Sequence, residues 1–254
     1  MTHLLFQRDI FHENDDEQIN IIKKYFHVHE IDKDHLTEYD SEGQHFSYRS
    51  SIAVAKKNKV FEKFTNALNW AGKLRHEMVS PSFRFQTLDY IINDWEDELD
   101  EDYYETEVVN SRRFIRPVSG DKVFAGNVFS MKAFQNEIDF LMQKNVDPSI
   151  LCMVSFPVPI QKEYRLIFID DKYVSGSQYM DCGELAVSPD VPQEVIDYAV
   201  KIHKNYTLPP WTVLDVGIVY RKPKVIELNQ IETSSFYAAD LDKIYKAWAD
   251  YLVN

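Results

Sequence analysis

The spacing of apolar positions divides the chain into a regular succession of elements. HLLFQRDIF (3–11) predicts a strand, DDEQINIIKKYF (15–26) a short amphipathic helix with an acidic start, and HVHEID (27–32) a second strand. This β-α-β opening predicts a small α/β lobe. Residues 33–50 are polar and read as loop. SIAVAKKNKV (51–60) reads as a strand or turn, and FEKFTNALNWAGKL (61–74) and SFRFQTLDYIINDW (82–95) read as helices. From 112 the texture changes to strands, RRFIRPV and KVFAGNVFS, before a helix over 132–145 with Phe134, Ile138 and Leu141 at helical spacing. ILCMVSFPVPI (150–160) predicts a strand that ends among prolines, and EYRLIFID-DK-YVSGSQY a hairpin. PQEVIDYAVKIHKNY (192–206) predicts a helix with Pro192 in its first turn, and FYAADLDKIYKAWADYLV a closing amphipathic helix. The expected class is α+β, with residues 1–110 as an N-terminal α/β lobe plus acidic linker and 111–254 as a second region.

Between the last two helices lies VLDVGIVYRKPKVIELN (213–229), two apolar strands joined by a basic turn. Asp215, Glu227 and Asn229 interrupt its apolar runs, and buried carboxylates are costly unless compensated. Pro223 has no N–H and suits a turn. A three-residue loop of Arg221, Lys222 and Pro223 sets Asp215 opposite Asn229 and Gly217 opposite Glu227. The three polar side chains then share one face, with Gly217 leaving open space. Such oxygen ligands suit a hard cation such as magnesium. The alternative is that Asp215 merely ends a strand and Glu227 faces solvent. A two-residue loop would put Asp215 on the other face and remove the metal reading.

Composition narrows the function. The formal net charge is −13, and residues 94–107 carry nine acids and no base. An acidic chain is a poor duplex binder, so nucleic acid is not the expected partner; the acidic run reads as a solvated face or hinge. No apolar run approaches the roughly 18 residues of a membrane span, and the N-terminal residues have no signal-peptide pattern. Cys152 and Cys182 are the only cysteines, which is no disulfide framework and suits a reducing cytoplasm. His27 and His29 alternate on one strand face without a visible third ligand, and read as ordinary strand histidines.

Arg116 and Lys122 flank a Ser-Gly turn in FIRPVSGDKVF, and Arg165 precedes four apolar residues in KEYRLIFI, sharing a face with Glu163. Strand-embedded arginines need an anion: either a carboxylate of this chain or a ligand polyphosphate. The sequence contains no G-x-x-x-x-G-K-[ST], G-x-G-x-x-G or H-R-D pattern.

FIRPVSGDKVFAG, KEYRLIFIDDKYVSGSQY and VLDVG…VIELN…SSFYAADL, in this order, resemble the ATP-grasp superfamily and within it the clade named for two arginines and a lysine. The resemblance covers roughly 111–242. It implies ATP clamped between two α+β lobes. It implies Arg116, Lys122 and Arg165 as phosphate-contacting and catalytic cations, and Asp215, Glu227 and Asn229 as magnesium ligands. Glu163 joins the nucleotide-binding set, and Ser155, Phe156 and Val158 would offer backbone groups to adenine. Ser119-Gly120-Asp121 is the candidate phosphate loop. Arg116 stands where a lysine is more usual in the superfamily, which substitutes a bidentate fork for a point charge. The implied reaction joins a carboxylate to an amine through an acyl phosphate, with small-molecule or peptide substrates. A phosphotransferase and a non-catalytic nucleotide-binding protein are the alternatives. Ser234, Ser235 and Tyr237 would line an acceptor pocket or cap the last helix, and aromatic-rich surface segments would permit a homodimer.

Overall fold

A computed structural model describes residues 2–33, 46–57, 66–100, 112–120 and 123–253. Among them the chain divides into two compact units, one built from 1–65 with 160–254 and the other from 66–159. The 110/111 boundary expected from composition falls outside the described residues.

In the first unit, β1 (His3–Gln7), α1 (Asp15–Ile22) and β2 (His27–Ile31) form the expected β-α-β. The Asn14 side chain accepts the Glu17 N–H and so caps α1, whose first turn carries Asp15, Asp16 and Glu17. β1 pairs in parallel with β2 on one side and with β3 (Phe46–Arg49) on the other. β3 lies where polarity predicted loop. Its four residues, FSYR, are too few to establish a period, and pairing to β1 supplies the missing signal. Helix α2 (Ile52–Lys57) replaces the expected strand or turn.

The same unit holds a five-stranded antiparallel sheet in the order β10-β9-β8-β11-β12: β8 (Lys162–Ile169), β9 (Lys172–Asp181), β10 (Glu184–Ser188), β11 (Thr212–Val219) and β12 (Lys222–Asn229). Helix α5 (Gln193–Tyr206) packs on one face of this sheet, where His203 stacks on Phe168 with ring centroids 4.5 Å apart. The C-terminal helix α6 (Leu241–Val253) packs against α1, β8 and β9. Its Tyr245 and Trp248 are fully buried in one core with Leu4, Phe6, Ile19, Ile167 and Val213.

The second unit contains the sheet β4-β7-β5-β6: β4 (Arg84–Thr87), β5 (Arg112–Pro117), β6 (Asn127–Ser130) and β7 (Leu151–Ser155). Helices α3 (Leu88–Asp100) and α4 (Met131–Gln143) also belong to it. Leu88, Ile91, Ile115, Phe134, Ile138 and Cys152 share its core. Burial pushes the Cys152 thiol up to about 12, as expected of a core cysteine. Two helices predicted here differ. SFRFQTL contributes β4 before its helix begins, and of 66–74 only a single 3-10 turn, Ala67–Asn69, is helical. The acidic run enters α3 as far as Asp100.

Three hairpins turn on two residues, each with positive φ: Asp170–Asp171, Cys182–Gly183 and Tyr220–Arg221. That geometry matches the right-handed twist of the flanking strands. The third corrects the expected three-residue loop. Val219 faces Lys222, and Pro223 lies in β12, opposite Ile218, on the edge strand where a missing N–H is tolerated. A regular two-residue hairpin would separate Asp215 from Glu227. A β-bulge intervenes: Val216 pairs with Val225, and Asp215 with Glu227, leaving Ile226 as the extra residue. The bulge restores the shared face that the loop length had removed.

At the N-terminal sheet, His3 Nδ1 and His29 Nε2 lie 2.9 Å apart, and the His27 ring is 5.2 Å from that of His3. Among the described residues no three His, Cys, Asp or Glu side chains gather to hold a metal. Burial, then the charges of His3 and His27, lower the His29 pKa. A folded-state pKa below the unfolded value of about 6.5 makes its contribution complete above that pH and lost as pH falls through the folded value. Lowering the pH from about 7 to about 5 should therefore reduce the urea midpoint, and His29→Gln should flatten that dependence; an unchanged slope in the variant would assign it to other groups.

Candidate functional site

Along β8 and β11, one sheet face runs from apolar to polar. Ile167, Ile169 and Val213 belong to the core shared with α6. Two residues further along each strand, on the same face, stand Arg165 and Asp215, directly paired. The Arg165 guanidinium grips Asp215 with two bonds, Nε to Oδ1 at 2.8 Å and Nη2 to Oδ2 at 2.7 Å. Nη1 donates to the Ser235 carbonyl at 2.9 Å. Both side chains are buried, at 9% and 1% exposure. Burial alone would lower the Arg165 pKa; the Asp215 charge and hydrogen bonds more than offset it, and the net direction is up. The strand arginine thus finds its anion within the chain.

Asn229 joins the cluster through its amide. Nδ2 donates to Asp215 Oδ2 at 3.0 Å and to Glu227 Oε1 at 2.8 Å. Asp215, Glu227 and Asn229 are therefore brought together, as the sequence predicted, by a different register. The Asn229 nitrogen sits between two carboxylate oxygens, where a cation would also be stabilised. Two carboxylates and an amide are a hard-oxygen donor set that fits magnesium once substrate phosphates and waters complete it. Asp215 is the most committed of the three, because three of its acceptor positions already serve Arg165 and Asn229. Gly217 does not leave open space. A Cβ there would lie 2.9 Å from Ile160 Cγ2 and 3.1 Å from Ile226 Cδ1, so the missing side chain makes room for the bulge residue.

Glu163, two residues before Arg165, accepts the Tyr179 hydroxyl at 2.7 Å. Burial raises the Glu163 pKa against that hydrogen bond, and burial with the nearby Asp215 and Glu163 charges pushes the Tyr179 phenol well up. Tyr179 stacks on Tyr237 at 5.1 Å with the rings 9° from parallel, and Tyr237 stacks in turn on His12. The Arg165 guanidinium lies 5.4 and 5.3 Å from the two tyrosine rings. Neither Ser234 nor Ser235 caps α6; Asp240 does, accepting the Lys243 N–H. Sequence alone does not single out Tyr179, because its ring partner Tyr237 is distant in the chain.

In the other unit, Arg116 is buried on β5, paired with Met153 of β7. Gly126 lies against it: a Cβ there would come within 2.8 Å of Arg116 Cβ. Ser155 ends β7, Phe156 is 73% exposed, and Val158 is half-buried in the irregular segment that follows. Lys122 and Asp121 lie outside the described residues.

Removing one member of a buried pair leaves the other uncompensated. Arg165→Met should cost about 3–5 kcal/mol in urea unfolding, while Arg165→Met with Asp215→Leu should recover much of it. A single variant as stable as the wild type would mean that the pair does not organise this face.

Superposition on D-cycloserine synthetase DcsG covers 99% of this chain and 100% of that chain, with a TM-score of 0.60 at 12% identity. A RimK domain protein ATP-grasp from Sphaerobacter thermophilus DSM 20745 superposes with a TM-score of 0.58 at 11% identity, covering 98% of this chain and 99% of that one. The ATP-grasp ligase PsnB, solved with a phosphomimetic variant of its minimal precursor, Mg and ADP, gives 0.51 at 13% identity, covering 99% of each chain. At these identities the likeness is one of fold. Among curated proteins no sequence match is found. The model of an ATP-grasp domain family, family 2 of the clade named for two arginines and a lysine, matches residues 96–247, more than half of the chain. The chain belongs to the ATP-grasp superfamily, in that second family of the two-arginine, one-lysine clade.

Proposed function

We propose that this protein is an ATP-dependent carboxylate–amine ligase that works through an acyl phosphate and magnesium. The observation that carries the reading is the convergence of Asp215, Glu227 and Asn229 beside Arg165 on one sheet face of an ATP-grasp chain. Asp215, Glu227 and Asn229 would hold the magnesium, Asp215 while also gripped by Arg165. Magnesium, when bound, supplies charge neutralisation to phosphate oxygens.

The protein's own groups do the positioning. Three of the five Arg165 N–H donors are engaged with Asp215 and Ser235, which fixes the guanidinium plane and leaves two for a phosphate or acyl-phosphate oxygen. Arg116 and Lys122 are proposed as further phosphate contacts, and the backbone of Ser155, Phe156 and Val158 as the adenine contacts. Glu163, hydrogen-bonded by Tyr179, is the remaining proposed nucleotide contact. No protein nucleophile is needed, because charge neutralisation and alignment suffice for phosphoryl transfer. PsnB, a relative in fold, was solved with a peptide precursor variant, Mg and ADP, and a peptide or small-molecule carboxylate and amine are the proposed substrates here. Both cysteines are free thiols, which suits a reducing cytoplasm. No described helix is long and apolar enough to cross a membrane.

Thermal unfolding with and without magnesium–ATP tests the nucleotide site. Ligand at about 100 times its dissociation constant should stabilise the wild type by roughly 2.7 kcal/mol. Glu227→Gln should lose the magnesium-dependent part. No shift in the folded wild type would remove the reading. ADP release that requires both an acid and an amine would identify ligation, and release with the acid alone would identify a phosphotransferase.

A further inference from the structure

Glu13 lies between β1 and α1, and its side chain is only 3% exposed. Its Oε1 accepts the backbone N–H groups of two consecutive residues, Phe236 and Tyr237. Its Oε2 makes no hydrogen bond among the described residues and faces Arg49 Nη2 at 3.5 Å. Arg49 is fully buried and lies between two rings, 3.5 Å from the Phe11 centroid and 3.9 Å from that of Phe236. It donates to the carbonyls of Ile231 and Ser234 and to the Tyr245 hydroxyl. Both ends of this arrangement therefore hold the same stretch, 231–237.

That stretch has an unusual backbone. Tyr237 has φ +55°, a conformation that a bulky side chain rarely adopts. Consecutive N–H groups turned to one point beside a left-handed residue form a concave anion site, or nest. Here the anion is the protein's own carboxylate. The opposite side of the stretch faces the candidate site: the Ser235 carbonyl receives Arg165, and the Tyr237 ring stacks on Tyr179. Glu13 thus acts on Arg165 through a single turn of chain.

We propose that Glu13, charge-balanced by Arg49, is a positioning residue: a built-in anion that fills the nest of Phe236 and Tyr237 and thereby holds the Ser235 carbonyl on Arg165. The nest itself follows from the contacts above; its consequence for ligand binding rests on the reading of Arg165 as a nucleotide contact. A further consequence concerns substrate choice. Since Glu13 occupies these N–H groups, an incoming carboxylate does not use them.

The test is chemical rescue. Glu13→Ala empties the nest, and formate, a free carboxylate, can refill it. The variant should unfold at a lower temperature, and formate should restore most of the loss while chloride at equal ionic strength does not. Wild type should respond to the two salts alike. The magnesium–ATP shift should weaken in Glu13→Ala and return with formate. Equal effects of formate and chloride on the variant would overturn the proposal. Should Glu13→Ala fail to fold, hydrogen exchange on Glu13→Gln decides. That variant keeps an acceptor oxygen but loses the charge, so the Phe236 and Tyr237 amides should exchange faster than in wild type, and wild-type rates would overturn it. Formate rescue of stability in the absence of any wild-type nucleotide shift would support the nest while removing the ligase reading. A wild-type nucleotide shift without formate rescue would do the reverse.

Discussion

The buried pair of Arg165 and Asp215 is the interaction around which the candidate site is arranged. Desolvating two charges is expensive, and their attraction repays it only when geometry is good and the remaining hydrogen-bonding groups are satisfied. Here the bond is bidentate, with a third guanidinium donor on the Ser235 carbonyl and the second Asp215 oxygen shared with Asn229. The polar cluster continues a face whose other end is apolar core. Each neighbouring element is thus obliged to present a polar group at a fixed place: β12 its Asn229 and Glu227, and the 234–237 segment its carbonyl.

A second buried ion pair, Glu13 with Arg49, lies behind the first. Neither pair is an exposed ornament, and both hold backbone as well as charge. Arg49 binds carbonyls of the 231–234 stretch, while Glu13 binds the N–H groups that follow. The 231–237 stretch is thus held at its carbonyls by a cation and at the N–H groups that follow by an anion. The N-terminal β-α-β segment and the antiparallel sheet consequently form one unit, although the whole of the other unit lies between them in sequence.

Much of this was legible in the sequence, for physical reasons. The β-α-β opening, the α4 face of Phe134, Ile138 and Leu141, and the strands of the large sheet announce themselves because burial on one face imposes a period. The gathering of Asp215, Glu227 and Asn229 was correctly expected, but by the wrong register. Tyr220–Arg221 carries neither the glycine nor the asparagine that normally marks a two-residue hairpin, and Pro223 pointed to a turn. The bulge at Ile226 leaves no local signature at all; its only trace is Gly217, read as open space and in fact filled by Ile226 and Ile160. β3 was missed because its partner β1 lies beyond both α1 and β2 in the chain, and Glu13 and Arg49 because long-range ion pairs have no period.

The bulge also limits how this segment can vary in length. Side chains alternate faces along β11 and β12, so one residue gained or lost between the Tyr220–Arg221 turn and Asp215, or between that turn and Glu227, exchanges the set facing Arg165. Two irregularities already cancel here, the short turn and the extra Ile226. The hairpin is therefore open to substitution at many positions and closed to single insertions and deletions. Any relative whose hairpin differs by one residue must carry a compensating bulge nearby or have given up the arrangement.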